Sequence, residues 1–307
     1  MKVSIIGGGG RVGSSAAYAL QLGGIVNEIA IVDVALEMAQ GEALDLRHGA
    51  SLAGSQRIYA GGYEAVEGSD VIVITAGLRR KPDESRLELI SRNVTLFKGI
   101  LEEIRKIKLP DNAIIIVVSN PVDVLTKLAV DGAGLPAKRV IGLGTLLDTT
   151  RFRSLLAEHF GVNPLDVSAL ILGEHGDSMI PVWSTATVNG TPLESFPGYD
   201  KETVHGVFDF TKKSGAEVIK LKGGAGYAVG LSIKRLVEAI ALDEKAVLPV
   251  SSLQDGMFGI KDVCLSVPTV IGKSGVEGLI EIRLTEEEKA GLQNSGRVLA
   301  ETLKQIA

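Results

Sequence analysis

Short apolar runs alternate with longer stretches of helical periodicity through the first half of the chain. The runs are nearly continuous in Val, Ile and Ala, as expected for strands that helices cover on both faces. The helical stretches are long enough for the crossovers that parallel strands need. Strands are predicted at residues 3–6, 28–32, 70–75, 113–119 and 139–143, and helices at residues 14–22, 36–48, 87–107 and 122–130. The first half therefore predicts an α/β, doubly wound parallel sheet.

The rhythm changes after about residue 145. The second half is predicted to contain a helix at residues 147–160, several short strands, helical segments at residues 201–220 and 230–242, a strand-rich stretch at residues 263–284 and a last helix from Thr285. That order indicates an α+β domain. Because no Pro/Ser-rich linker separates the halves, we predict two closely packed domains, residues 1–145 and 146–307, with a cleft between them.

Composition and charge narrow the class of protein. With 307 residues, 45% of them hydrophobic and 22% charged, the chain is typical of a globular protein. The net charge of -5 and the mixing of acids with bases along the helices argue against nucleic-acid binding. No apolar run approaches the roughly 18 residues that span a bilayer, so no membrane partner is expected. A single cysteine, Cys264, and the lack of a signal peptide lead us to expect a cytoplasmic protein.

A glycine-rich turn follows the first predicted strand and opens the first helix. Gly8, Gly10 and Gly13 satisfy G-x-G-x-x-G, and Gly7 extends the glycine run. Glycines in this context let the chain turn tightly and let a pyrophosphate approach backbone N–H groups at the positive end of a helix. The pattern alone also fits a plain tight turn, but its place between a strand and a helix favours a dinucleotide site.

The second predicted strand ends in an acidic residue, Asp33. A carboxylate at this place accepts hydrogen bonds from the adenosine ribose hydroxyls and repels a 2'-phosphate. The residues after it, Val34-Ala35-Leu36, offer no arginine to hold an extra phosphate, so NAD is predicted over NADP. Asp33 also suits the N-cap of the next helix, and the two roles are compatible.

Three side chains further along have the chemistry that a hydride transfer to a carbonyl needs. Asp148 and Arg151 share one face of a predicted helix, and His175 stands between two glycines after an apolar strand. Hydride delivery leaves an alkoxide that needs a proton, for which a histidine beside a carboxylate is suited. A 2-oxo acid also brings a carboxylate that an arginine can bind. A capped helix with a surface ion pair is the simpler interpretation of Asp148 and Arg151, and His175 argues against it.

Four segments, residues 75–86, 119–123, 147–151 and 172–178, resemble those of the lactate/malate dehydrogenase family in order and spacing. The resemblance covers essentially the whole chain. It implies a Rossmann-type NAD-binding domain, which is the doubly wound sheet predicted above, followed by an α+β catalytic domain. It also implies an oxidoreductase that interconverts a small 2-hydroxy acid and a 2-oxo acid, with NAD as cofactor.

The resemblance implies a role for each residue of the site. His175 would donate the proton to the substrate carbonyl, Asp148 would orient it and raise its pKa, and Arg151 would hold the substrate carboxylate. Arg86, on a loop that closes over the site, would polarise the carbonyl, and Asn120 would bind the substrate or the cofactor. The implied cofactor-binding residues are Gly7, Gly8, Gly10, Arg11, Val12, Gly13, Asp33, Thr75, Ala76, Gly77, Asn93, Val118 and Asn120.

Two positions predict the substrate pair. Family members that act on malate carry an arginine at the position of Arg80, where it pairs with a second carboxylate, whereas lactate enzymes usually carry glutamine. Ala225 stands where lactate enzymes usually have threonine. Together they predict malate and oxaloacetate, a place in the tricarboxylic acid cycle, and Arg80 as a substrate-binding residue. Residues 151–153 and 181–184 resemble lactate enzymes instead, so L-lactate dehydrogenase is the alternative.

Two other classes of protein share part of this pattern. NAD-dependent glycoside hydrolases have a similar architecture but need a metal held by cysteine and histidine, and Cys264 in a predicted strand does not suit that role. No metal is therefore predicted. A non-catalytic NAD-binding regulator would leave His175, Asp148 and Arg151 unexplained. Because the family is oligomeric, the resemblance also implies a homo-oligomer, either a tetramer or a dimer.

Overall fold

The computed structural model describes residues 1–78 and 84–306, apart from the side chain of Arg86. Along this part of the chain the α-helices are α1 (Arg11–Gly23), α2 (Leu36–His48), α3 (Ala50–Ala53), α4 (Arg86–Arg105), α5 (Val122–Gly132), α6 (Leu146–Phe160), α7 (Lys201–Lys222), α8 (Tyr227–Ala241) and α9 (Glu286–Ile306). None of these helices combines the length and the apolar composition needed to cross a membrane.

The β-strands of the described residues form one large sheet and two small ones. They are β1 (Lys2–Ile6), β2 (Glu28–Val32), β3 (Arg57–Gly61), β4 (Val71–Ile74), β5 (Ile114–Val117), β6 (Val140–Gly142), β7 (Val167–Ser168), β8 (Ile171–Leu172), β9 (Ile180–Pro181), β10 (Thr187–Val188), β11 (Thr191–Pro192), β12 (Ala246–Asp255), β13 (Lys261–Gly272) and β14 (Gly275–Leu279).

The large sheet runs through both halves of the chain. Its first six strands are parallel and lie in the order β3-β2-β1-β4-β5-β6, which is that of a doubly wound dinucleotide-binding fold. Strand β12 pairs antiparallel with β6, and β13 and β14 continue the sheet. The predicted fold class is confirmed, and the two halves are joined by backbone hydrogen bonds as well as by packing.

Alternate residues of the central strands enter two separate cores. Val3 and Ile5 of β1 belong to the core on one face of the sheet, whereas Ile6 belongs to the core on the other. In β2, Ile29 and Ala30 divide in the same way. Both faces of each strand are therefore buried, which explains why the apolar runs in the sequence are continuous rather than alternating.

Two strands were absent from the sequence prediction. Strand β3 is a half-exposed edge strand with arginine, tyrosine and glycine in place of an apolar run. Strand β12 is buried, but it contains Pro249 and the polar residues Ser251, Ser252 and Gln254. Proline and buried polar side chains remove the apolar signal by which a strand is recognised. The sequence therefore underestimated how far the sheet extends.

Helix α8 packs its apolar face on the sheet core of the first half. Ile233, Leu236 and Val237 are fully buried there beside Val3 and Ile5. The helix approaches α1 closely at Gly230, because a Cβ at that position would lie 2.7 Å from the carbonyl oxygen of Ser15. This contact between backbones brings the two halves together directly beneath the glycine-rich turn.

A substitution at this contact should lower stability. We expect Gly230→Ala to lower the free energy of unfolding by about 1–3 kcal/mol, because the new methyl group overlaps backbone that cannot move freely. The matched control is Gly99→Ala in α4, where a Cβ meets no atom within 4 Å. That variant should be unchanged or more stable by up to about 1 kcal/mol. Urea denaturation of both variants measures the difference, and equal midpoints would contradict the packing argument.

Candidate active site

The glycine-rich turn forms a backbone cradle between β1 and α1. The N–H groups of Gly7 and Gly8 both donate to the carbonyl of Val32, at 2.8 and 3.0 Å, and hold the turn against β2. A Cβ on Gly7 would lie 2.5 Å from the Ala76 nitrogen, and one on Gly13 would lie 2.5 Å from the Gly7 oxygen. Only glycine fits these positions. Helix α1 then begins after Gly10, which has no side chain to cap its first turn.

Asp33 lies at the carboxyl end of β2, beside this cradle. Its Oδ2 accepts a hydrogen bond from the N–H of Gly9, and its Oδ1 accepts one from the N–H of Ala35, both at 3.0 Å. The N-cap of α2 is Ala35 rather than Asp33. The structure therefore places the carboxylate at the edge of the glycine turn and does not use it as the helix cap.

The end of β4 fastens the same turn from the other side. The hydroxyl of Thr75 donates to the carbonyl oxygens of Ile6 and Gly7, each at 3.1 Å. Ala76 follows and donates its N–H to Ile6, so residues 75–77 run along the cradle. Three predicted cofactor residues, Thr75, Ala76 and Gly77, thus lie together with the glycines.

The remaining predicted cofactor residues support the cradle or border it. Asn93 is buried in α4, and its Oδ1 accepts the N–H of Leu78 at 2.7 Å, which fixes the start of the loop after β4. Val12 and Val118 are half-buried and pack against the sheet core. Arg11 is exposed and extends over the turn between α7 and α8, where its side chain contacts Gly226.

One buried carboxylate joins the histidine and the arginine of the predicted site. Asp148, in the first turn of α6, is 1% exposed. Its Oδ2 is 2.5 Å from Nδ1 of His175, and its Oδ1 accepts a hydrogen bond from Nη1 of Arg151 at 3.1 Å. The structure therefore brings together the three residues that the sequence predicted from separate segments.

This arrangement shifts the pKa of both partners of the hydrogen bond. Burial by itself would raise the pKa of Asp148, but the charges of His175 and Arg151 and their hydrogen bonds lower it below its ordinary value. Burial would lower the pKa of His175, but attraction to Asp148 and, more weakly, to Asp123 raises it above its ordinary value. The pair favours a protonated imidazole beside an ionised carboxylate.

The loop that carries His175 is held at three places that the sequence analysis did not identify. The N–H of His175 donates to Oδ2 of Asp123 at 2.7 Å. The hydroxyl of Ser295, in α9, donates to the carbonyl of Ser178 at 2.6 Å and accepts the N–H of Glu174 at 3.1 Å. Asp123 belongs to the segment at residues 119–123 that resembles the family. The sequence signal for its structural role is a carboxylate within the apolar run at residues 122–125.

Helix α7 leaves room for Arg151. A Cβ on Gly215 would lie 3.4 Å from Nη1 of Arg151, so the guanidinium lies directly against the helix backbone. A glycine in the middle of a helix without a turn signal gave no indication of this role. Asn120 is exposed and follows β5 at its carboxyl end. Arg80 and the side chain of Arg86, both predicted to contact substrate, lie outside the described residues.

Comparison with known proteins covers the whole chain. The family model described as lactate/malate dehydrogenase, NAD binding domain, matches residues 1–142, and that described as lactate/malate dehydrogenase, alpha/beta C-terminal domain, matches residues 145–307. L-lactate dehydrogenase 1 of Clostridium acetobutylicum is 45% identical, over 99% of this chain and 98% of its own. L-lactate dehydrogenase of Kosmotoga olearia is 44% identical, over 100% of this chain and 96% of its own.

Solved structures agree with these relatives. The minor L-lactate dehydrogenase of Enterococcus mundtii, in a ligands-bound form, superposes with a TM-score of 0.94 at 38% identity and covers 100% of this chain and 98% of its own. A lactate dehydrogenase from a Medee basin deep-sea metagenome library superposes with a TM-score of 0.93 at 34% identity, over 99% and 98%. Similarity of this extent covers both halves of the chain.

The relatives contradict the predicted substrate pair. Proteins 40–45% identical to this chain are named L-lactate dehydrogenase, so the prediction of malate and oxaloacetate, with a place in the tricarboxylic acid cycle, is wrong. It depended on Arg80 and on Ala225. The Ala225 side chain is half-buried and packs against the sheet core. A small residue there therefore also has a packing explanation, so it is weak evidence for the width of a substrate pocket.

The features on which the family depends are all in this chain. The first half is an NAD-binding domain, and its residues fit that cofactor because the glycine cradle has no room for a Cβ at Gly7 or Gly13 and leads directly into the positive N-terminal end of α1. The second half brings His175, Asp148 and Arg151 to one place, suited to a small-molecule substrate. Both halves match a single family in order and over their full extent. The chain belongs to the lactate/malate dehydrogenase family.

Proposed function

We propose that the protein is an NAD-dependent L-lactate dehydrogenase that interconverts L-lactate and pyruvate. The observation that carries this proposal is the bridge that Asp148 makes between His175 and Arg151. It links a proton donor to a group that binds a carboxylate, and a 2-oxo acid needs both. The names of the relatives support lactate and pyruvate as the pair.

Each partner of Asp148 has a separate task in this proposal. Because Nδ1 of His175 donates to Asp148, Nε2 is the ring nitrogen left to give its proton to the carbonyl oxygen of pyruvate. After the proton has left, the neutral ring keeps its Nδ1–H on Asp148. Nε2 can then take the proton back during lactate oxidation. Arg151 binds the substrate carboxylate and orients the 2-carbon. When bound, NAD supplies the hydride acceptor, and NADH the hydride donor.

The other predicted residues complete the proposed site. Arg86 is proposed to polarise the carbonyl oxygen, and Asn120 to bind the substrate or the carboxamide side of the cofactor. The glycine cradle and Asp33 are proposed to hold the pyrophosphate and the adenosine ribose. We propose the division predicted from the sequence, with cofactor binding by residues 1–145 and substrate binding by residues 146–307.

A cytoplasmic homo-oligomer, tetramer or dimer, is part of the proposal. Helices α1 and α8 pack against each other and expose large apolar side chains, which supports association of copies. These side chains are Tyr18, Leu22, Tyr227 and Leu231.

The substrate pair is tested by measuring kcat/KM for pyruvate and for oxaloacetate with NADH on one preparation. Pyruvate should be favoured by about tenfold or more, which corresponds to about 1.4 kcal/mol of transition-state stabilisation. A preference for oxaloacetate would contradict the proposal. Absence of turnover with either acid, together with tight NADH binding, would instead indicate a regulator that binds NAD without catalysis.

The role of His175 predicts both a mutational effect and a pH dependence. His175→Asn should lower kcat/KM for pyruvate by about a hundredfold or more, while NADH binding stays close to that of wild type. His205→Asn, on the exposed side of α7, is the control. In wild type, pyruvate reduction needs the protonated ring, so kcat/KM should be constant at low pH and fall as pH rises through the raised pKa of His175. A rate that increases over that range would exclude His175 as the proton donor.

Cofactor choice depends on the Asp33 carboxylate. NADH should be favoured over NADPH by about tenfold or more, because like charges brought together cost several kcal/mol. Asp33→Asn should lower this ratio by about tenfold, since it removes the charge and keeps one acceptor oxygen. The ratio is unaffected by a general loss of activity. Asp45→Asn, on the exposed face of α2, is the matched control, and an unchanged ratio in Asp33→Asn would show that another group selects the cofactor.

A further inference from the structure

A second buried carboxylate lies behind the histidine. Asp123 is in the first turn of α5 and is 2% exposed. One of its oxygens, Oδ2, accepts the N–H of His175 at 2.7 Å. The other, Oδ1, is fully buried and has no hydrogen-bond partner among the residues that the structure describes. An unpaired carboxylate oxygen in the interior is unfavourable, so the group calls for an explanation.

The surroundings of Asp123 do not compensate for its charge. Ser251 of β12 lies next to it, and its buried hydroxyl makes no hydrogen bond of good geometry in the described part of the chain, although it is close enough to lower the pKa of Asp123. Cys264 of β13 is also buried nearby, and burial raises the pKa of its thiol, so this neighbour stays neutral and supplies no positive charge. Burial raises the pKa of Asp123 to about 6, which the Ser251 hydroxyl and the His175 N–H only partly oppose.

An asparagine would satisfy this position better as a purely structural residue. Its amide oxygen could accept the N–H of His175, and its amide nitrogen could donate to the Ser251 hydroxyl. Neither buried oxygen would then be unpaired, and no charge would be buried. That the chain carries an acid here, beside the proton-donating ring, indicates that the negative charge itself has a use.

We propose that Asp123 is a positioning residue for His175, one that fixes the loop through the backbone N–H and adds a second negative charge beside the imidazolium. The inference rests on the proposed function and deepens it. Among the described side chains, the charged groups that act on His175 are Asp148 and Arg151 from α6 and Asp123 from α5. Asp148 and Asp123 favour the protonated ring, and Arg151 opposes it. Asp123 keeps its own proton state while the proton moves between Nε2 and the substrate oxygen.

The test is the pH profile of kcat/KM in Asp123→Asn, measured for pyruvate reduction and for lactate oxidation. Removing the charge should lower the pKa of His175, so the falling limb for reduction and the rising limb for oxidation should both move to lower pH by about one pH unit. Asp131→Asn, the same change on the exposed end of α5, should leave both midpoints unchanged. If Asp123→Asn lowers the maximal kcat/KM but leaves the midpoints of both pH profiles unchanged, the electrostatic role is overturned.

Stability measurements separate positioning from folding. Because the folded pKa of Asp123, about 6, lies above the ordinary value of 3.8, the ionised carboxylate destabilises the folded state at pH 8. Asp123→Asn should therefore have a Tm at pH 8 equal to or above that of wild type. A lowered Tm would show that Asp123 mainly stabilises the fold, and it would contradict the positioning role. Asp123→Ala, which also removes the acceptor for the His175 N–H, should lower kcat/KM below that of Asp123→Asn, and equal values would overturn the loop-fixing role.

One readout does not depend on the proposed reaction. The chain has 4 histidines, and comparison with His175→Asn assigns the His175 signal in NMR spectra of imidazole-labelled protein. Its titration gives the pKa of His175 whether or not pyruvate is a substrate. A lower pKa in Asp123→Asn without pyruvate turnover in wild type would refute the proposed function and keep the electrostatic inference. An unchanged pKa would refute that inference alone.

Discussion

The site depends on the cost of burying the Asp148 carboxylate, and on how that cost is met. A charge in the interior is costly unless it is paired and hydrogen-bonded. Asp148 has two partners, one on each oxygen, and each is a group that the proposed chemistry needs. Its ionised state and the protonated state of His175 therefore stabilise each other. The same carboxylate also sets where Arg151 lies before substrate arrives, so proton donation and carboxylate binding share one support.

The sheet determines that these groups meet. Helices α5 and α6 follow the carboxyl ends of β5 and β6. Asp123 and Asp148 lie in the first turns of these helices. Carboxylates near helix N-termini are favoured by the helix dipole. Strand β12, paired with β6, brings Ser251 beneath Asp123. The antiparallel extension of the sheet is thus part of the wall behind the histidine, and the site cannot be assigned to one half of the chain alone.

Much of this could be read from the sequence, because the signals were local. Continuous apolar runs indicate strands covered on both faces, and Gly7 to Gly13 and Asp33 follow from their places at strand ends. His175 between glycines, the spacing of Asp148 from Arg151 and the family resemblance predicted the three side chains that the structure brings together. The parts that were missed depend on distant contacts. Ser295 and Gly215 are ordinary residues in helices, and only the folded chain brings them to the His175 loop and to Arg151. The substrate was wrongly predicted because it rested on two single positions, Arg80 and Ala225, and the side chain of Ala225 also packs on the core.

The hydrogen bonds of Ser295 have a consequence for the order in which activity is acquired. The loop with His175 is fastened to α9 by a serine 117 positions after Ser178. Chains emerge from the ribosome from their N-terminus, and domains fold as units while synthesis continues. The glycine cradle uses only residues near the start of the chain, from β1, α1, β2 and the end of β4. The histidine loop must wait for a helix made much later. In a chain that is still being synthesised, the glycine turn can therefore exist before the position of His175 is fixed, since that position depends on α9.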